Sequence, residues 1–212
     1  MFYLGISLMG ILSSAASITR YRVDGKIKSS VVETVAEGLK KNAISEIDED
    51  AIEKAVGWTS FETPFQPNFD GSSFAYGSLF VFSLRIDRKQ IPTKLVKKHL
   101  TLETAKRLAK TSRRFLSKDE KQALKEKITS ELAIRMPSTP NLYDILWDYE
   151  KLALYFFTNL RSVNEELEGL FKRSFMLPLI RIIPYTAGDL LSDLTDQERD
   201  ILLSLSPTHF LN

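Results

Sequence analysis

The sequence predicts an α+β fold in which an antiparallel sheet is packed by helices and carries a projecting basic helical hairpin. Three observations predict it. Runs rich in branched and aromatic residues recur without regular βαβ spacing, which favours antiparallel pairing. Between two of these runs lie two consecutive segments of helical periodicity crowded with Lys and Arg. The 212 residues, 43% hydrophobic and 26% charged, suffice for about one domain with its own core.

Residues 1–16 form an uncharged, mostly apolar N-terminal extension. Ser14-Ala15-Ala16-Ser17 has the look of a signal-peptidase site, but no Lys or Arg precedes Arg20, whereas a secretory signal opens on basic residues. The run is also shorter than the roughly 20 residues of a membrane span. A start at Met9 would make residues 1–8 an upstream extension, and no targeting signal is expected.

Residues 17–23 read as a strand closed by the turn Asp24-Gly25. A helix follows, capped by Ser29 or Ser30, with Val31, Val32, Val35 and Leu39 at helical spacing and Lys40-Lys41-Asn42 at its end. The acidic stretch 45–53 (Glu46, Asp48, Glu49, Asp50, Glu53) reads as a solvated helix start, since it lacks the glycine and ligand spacing of a calcium loop. Residues 56–61 form a short strand leading into a loop, 62–73, that holds Pro64, Pro67, Asn68, Asp70 and Gly71. The most strand-like run is 79–86.

Two basic helices come next. In the first, residues 93 to about 110, Val96, Leu100, Ala105, Leu108 and Ala109 supply an apolar stripe. The second opens on Ser117-Lys118-Asp119-Glu120, a capping box in which Ser117 and Glu120 satisfy each other's backbone amides. Leu124, Ile128 and Leu132 make its seam, and Lys118, Lys121 and Lys125 gather at i, i+3, i+7 on another face. Residues 142–148 and 152–158 read as a hairpin turning at Tyr149-Glu150-Lys151. Ser162 and Glu165 cap a further helix facing inward with Val163, Leu167, Leu170 and Phe171, then 176–183 is a last apolar run before Pro184. Thr195 with Glu198 caps a terminal helix ending near Ser206-Pro207. The expected division is the extension (1–16), a discontinuous central domain (17–92 and 136–186), a basic helical tip (93–135) and a C-terminal helical tail (187–212).

Several chemistries are excluded. With no cysteine there is no disulfide, thiolate zinc site or cysteine nucleophile, and His99 and His209 are too few for a histidine-rich metal site. No phosphate-binding glycine motif and no Gly-x-Ser-x-Gly elbow occurs. Asp119-Glu120-Lys121 resembles half of a magnesium-dependent nuclease site, but it falls in the first turn of a helix, where acids meet the helix dipole favourably. No enzyme activity, cofactor or metal is expected.

Charge is the stronger signal. The net +2 conceals 15 Lys and Arg against 5 Asp and Glu between Arg85 and Lys127, with 14 against 22 elsewhere. Such a concentrated positive field attracts polyanions and gives salt-sensitive, sequence-independent binding to phosphates. The candidate DNA-binding residues in this stretch are Arg85, Arg88, Lys89, Lys94, Lys97, Lys98, Lys106, Arg107, Lys110, Arg113, Arg114, Lys118, Lys121 and Lys125. They cannot all face DNA. Only Phe115 interrupts the basic stretch, so base stacking is less supported, and Tyr143, Trp147, Tyr149, Tyr155, Phe156 and Phe157 are expected to pack the sheet.

The order of features resembles the RdgC family of recombination-associated bacterial proteins. It is carried by Gly57-Trp58, the strand ending Arg85 with Asp87, Lys89 and Pro92, the run KDEKQALKE from Lys118 to Glu126, Arg135, Trp147-Asp148, and residues 152–157 with the capped helix after them. The resemblance covers about residues 17–186. It implies a cytoplasmic, nucleoid-associated protein that binds duplex DNA without sequence preference, forms a ring-shaped homodimer and restrains RecA-promoted strand exchange. It also implies a central sheet domain, a helical tip where subunits meet, which residues 93–135 match, and a C-terminal base making a second contact. Members often carry an exonuclease label. Two departures stand out. The family's chains are longer, and this chain stops about where the base domain, the family's second contact, would begin. Where the family has Pro-Arg-Ala-Phe after the second tip helix, this chain reads Ile134-Arg135-Met136-Pro137, so the resemblance adds Arg135 to the candidate DNA-binding residues while the aromatic does not carry over.

Overall fold

Strand alternation explains the layering. On β4 (Leu79–Arg88), Phe80, Phe82, Leu84 and Ile86 enter the main core while Ser83, Arg85 and Asp87 project from the opposite side, as a two-residue period requires. The computed structural model describes residues 10–206 except 29, 112 and 193. The expectations for residues 1–8, for Ser29 and for Pro207 lie outside the described residues.

β4 pairs along its whole length with β5 (Thr139–Asp148), from Leu79↔Asp148 to Arg88↔Thr139. β5 turns into β6 (Ala153–Phe156) through Leu152, whose φ is 52°. β6 pairs with β1 (Thr19–Val23), which carries β7 (Leu179–Arg181) on its far side. The other edge of β4 holds β2 (Lys54–Thr59) and the two-residue β3 (Ala75–Tyr76). The order is β2-β4-β5-β6-β1-β7 with β3 beside β4, and every strand pairing is antiparallel. The predicted α+β class and antiparallel sheet are what the chain forms.

One face of the sheet is covered by α1 (Val31–Lys41) and α4 (Arg161–Phe175), whose Val35, Leu39, Val163, Leu167, Leu170 and Phe171 bury against Trp58, Phe82, Trp147 and Phe156. Close approach is bought with glycine at two points. A Cβ on Gly38 would lie 2.6 Å from the Phe175 ring, and one on Gly57 would lie 2.5 Å from the backbone N and Cα of Ile44. The second crowding arises because the chain after α1 runs parallel to β2, with Trp58 N–H donating to Asn42 O and Ile44 N–H to Trp58 O, both at 2.9 Å.

A second, smaller core belongs to α2 (Thr93–Thr111) and α3 (Lys118–Arg135). Val96, Leu124, Ile128 and Leu132 are buried there, with Ile91, Leu95, Leu100 and Leu116 packed around them. α3 uses the predicted seam. α2 does not use its whole predicted stripe: Ala105 and Ala109 are exposed, because its one partner helix covers chiefly the Val96–Leu100 turn.

Other expectations need correction. Residues 45–53 contain no helix, since their carboxylates and carbonyls serve basic side chains of β4 and its end. α4 begins at Arg161 with Leu160 as N-cap, so Ser162 does not cap it; Asn164 Nδ2 donates to Leu160 O instead (2.8 Å). Ser30 is the N-cap of α1 but gives no side-chain cap bond. The run 176–183 supplies only the three residues of β7, after Met176 ends α4 in the left-handed region at φ 58°. β3 and α5 (Pro184–Leu191) were not anticipated. The Thr195–Glu198 box does cap α6 (Asp196–Ser204), and Arg199 ties α6 to Asp189 of α5 at 2.7 Å.

Candidate nucleic-acid interface

The hairpin of α2 and α3 is positioned by two local devices. At the tip end, Ser117 Oγ accepts from Glu120 N–H (3.1 Å) while Glu120 Oε2 accepts from Ser117 N–H (2.8 Å), which fixes where α3 starts. These bonds, with Arg113 nearby, hold the Glu120 carboxyl below its ordinary range. At the base, Lys89 Nζ donates to Asp48 O (2.9 Å), Asp50 O (2.7 Å) and Ala133 O (2.8 Å), joining the end of β4, the acidic loop and the last turn of α3. Asp48 reaches the same junction by accepting from Ser138 N–H at 2.8 Å, and Ser138, through its side chain first and its N–H second, holds the Asp48 carboxyl below its ordinary range.

Two of the predicted DNA-binding residues are therefore misassigned. Lys89 is 6% exposed and spends its three donors on carbonyls. Arg85 is 3% exposed, bonded to Asp87, paired with Glu46 at 2.9 Å and set against the Phe65 ring at 5.4 Å. Neither is offered to solvent. Sequence proximity to the basic insert points both toward DNA, while part of their partners, Glu46 for Arg85 and the Asp48 and Asp50 carbonyls for Lys89, lie in the acidic stretch about 40 positions earlier.

The remaining candidates are exposed: Arg88 at the end of β4, Lys94, Lys97, Lys98, Lys106, Arg107 and Lys110 on α2, Arg113 and Arg114 in the connection, Lys118, Lys121 and Lys125 on α3, and Arg135 at its end. Three cations of the hairpin are engaged by neighbours, in the pairs Lys106–Glu103 (2.7 Å), Arg113–Glu120 (3.2 Å) and Lys127–Glu131 (3.6 Å). The Lys106 ammonium holds the Glu103 carboxyl below its usual range. Phe115 stands 78% exposed between the helices.

The sequence reading missed Arg20 and Arg22, which are exposed on the face of β1 opposite the buried Tyr21 and Val23, with Arg20 lying 5.7 Å from the Tyr155 ring. Their signal was the alternation Arg-Tyr-Arg-Val. The expectation that the aromatic residues of β5 and β6 pack the sheet holds for Trp147 and Phe156, both buried, the former against Phe80, Phe171 and Phe175.

A family model described as "Putative exonuclease, RdgC" matches residues 16–184. The chain belongs to the RdgC family. No curated protein matches it. Membership in RdgC carries a recombination-related role. The matched residues run from just before β1 to the first residue of α5, so the α2–α3 hairpin lies inside the RdgC match and most of α5 and all of α6 lie beyond it. Among the described residues no group of three His, Cys, Asp or Glu is placed to hold a metal ion, and no helix is long and apolar enough to cross a membrane. The Asp119-Glu120-Lys121 triplet occupies the first turn of α3, with Glu120 consumed by the cap.

Proposed function

We propose that this RdgC-family chain is a sequence-independent duplex-DNA-binding protein that serves recombination by occupying DNA rather than cutting it. One observation carries the reading. Nine exposed cations on the hairpin make no ion pair among the described residues: Lys94, Lys97, Lys98, Arg107, Lys110, Arg114, Lys118, Lys121 and Lys125. Exposed ammonium and guanidinium groups that are not already neutralised can take up phosphates and release counterions, with no demand on base identity. Use of Glu120 as a cap supports binding without hydrolysis. As parts of the same proposal, two copies meet through their hairpin ends, where Phe115 is exposed, and the bound protein restrains RecA-promoted strand exchange at the nucleoid.

The test is a salt titration of binding to a short labelled duplex, with magnesium present and the DNA recovered afterwards. Intact DNA and a linear fall of log affinity with log salt, about 0.9 units of slope per phosphate contacted, are expected. No binding at low salt overturns the reading. Shortened DNA that EDTA protects would replace it with the nuclease reading that the family description names.

A further inference from the structure

The hairpin's charges divide by flank. Glu103 feels Lys106, Arg107 and Lys127, so the side of α2 bearing Glu103 adjoins the side of α3 bearing Lys127. The pairs Lys106–Glu103 and Lys127–Glu131 both lie there, and Arg113–Glu120 continues that neutralised side toward the tip. Helical spacing sends Lys118, Lys121 and Lys125 to the other flank. There they line a groove of about 340 Å³ between the two helices, together with Leu100, Asp119 and Gln122. None of these three lysines is in an ion pair among the described residues.

Building on the DNA-binding reading, we propose that this groove is the backbone track: Lys118, Lys121 and Lys125 follow consecutive phosphates of one strand, and the internally paired flank faces away. Energetics favours the assignment. A lysine on the paired flank must give up its carboxylate before it can meet a phosphate, and the carboxylate left behind repels the DNA. A lysine in the groove exchanges only water. The dimensions agree as well. At 1.5 Å rise per residue the seven steps from Lys118 to Lys125 span roughly 10 Å, about three advances of 3.4 Å along the duplex axis, so the row runs beside about four phosphates of one strand and each of the three lysines has one within reach. A helix laid along the backbone in this way presents no side chains to base edges, which explains binding without sequence preference. Asp119 is the one carboxylate in the groove's lining. It sits in the first turn of α3, where helix-terminal N–H groups favour a negative charge, and it opposes phosphate there.

The experiment compares two triple variants of the full chain that lose equal charge, Lys118→Gln/Lys121→Gln/Lys125→Gln and Lys106→Gln/Arg113→Gln/Lys127→Gln, by fluorescence anisotropy on a labelled duplex across a salt series. All six positions are exposed, and melting curves by circular dichroism verify that both variants fold. The groove variant is expected to lose about 2.7 units of salt slope, 0.9 for each phosphate, and the paired-flank variant under about one unit. Asp119→Asn is expected to raise affinity. Equal losses in the two triple variants, or a larger loss from the paired flank, overturn the groove assignment while leaving DNA binding intact. A wild-type chain that fails to bind at low salt overturns instead the reading on which the assignment rests.

Discussion

Arg85 and Asp87, separated by one residue on β4, form a two-pronged ion pair on the face of the sheet opposite the main core, with Arg85 Nε 2.8 Å from Asp87 Oδ1 and Nη2 2.6 Å from Oδ2. Both side chains are almost wholly out of solvent. Asp87→Ala would leave the guanidinium with Glu46 as its remaining carboxylate partner, and a buried charge stripped of its partner costs about 3–5 kcal/mol. Urea unfolding should show that loss. Arg85→Lys is expected to fall in the same direction because an ammonium cannot reproduce the planar fork. The double replacement Arg85→Met/Asp87→Leu should recover much of the stability. Since Arg85 does not reach the surface, the double variant should keep the wild-type salt slope for DNA.

Lys89 is the joint between the hairpin and the sheet. Its three carbonyl acceptors come from two separate places, the loop at Asp48 and Asp50 and the α3 residue Ala133. Lys89→Met keeps the aliphatic stem but leaves those carbonyls unmet, at a cost of about 3 kcal/mol. Hydrogen exchange should speed up in the last turn of α3 and in residues 48–50 while the α3 N-terminus, held by its own cap, changes little. Uniform acceleration across the domain would contradict the joint.

What was legible in the sequence was mostly local. The Ser117–Glu120 and Thr195–Glu198 boxes join residues only three positions apart, and the Leu124, Ile128, Leu132 seam repeats about every turn, so spacing alone finds them. The strand nature of β4 was equally plain. Arg85 and Lys89 were misread because burial of a cation depends on distant partners: Glu46, Asp48 and Asp50 looked like a free acidic surface, Arg85 and Lys89 like a free basic one, and the fold sets each against the other. The division of the hairpin into paired and open flanks was half visible. The lysine row on α3 could be read from its spacing, but which side of α2 it meets could not.

Gly57 faces the backbone of Ile44 where the chain after α1 runs beside β2. The obstructing atoms are main chain, so no side-chain rotation relieves a Cβ placed 2.5 Å away. Gly57→Ala should therefore break the Trp58–Asn42 and Ile44–Trp58 bonds or shift β2, costing about 3 kcal/mol or more. Chemical denaturation measures the loss. Gly71, whose added Cβ would meet nothing within 4 Å, is the control for substitution of glycine as such. Its φ of +66° limits the expected cost of Gly71→Ala to backbone strain, about 1 kcal/mol.

Asp144 lies on the same sheet face as Ser83, 6% exposed, accepting from Ser83 Oγ–H at 2.9 Å and from Ile11 N–H at 3.1 Å. Burial raises its pKa above the ordinary 3.8, and the two hydrogen bonds only partly offset that. In the interval between 3.8 and the raised value the folded chain holds a proton at Asp144 that the unfolded chain has released, so stability contributed by this group falls as pH rises through the interval, by at most about 1.4 kcal/mol per pH unit. Above the interval the charged form is a standing penalty. Asp144→Asn removes it while keeping both bonds, because the amide oxygen can accept from Ile11 N–H and the amide nitrogen can donate to Ser83 Oγ. Thermal unfolding across pH 3–8 should find the variant at least as stable as wild type at neutral pH, with the gap closing toward acid. Other carboxyls, among them Asp48, Asp148 and Glu120, are shifted downward and pull the overall profile the other way. The difference between the two proteins isolates Asp144, and a gap that widens toward acid would show that its carboxylate is stabilised by the fold.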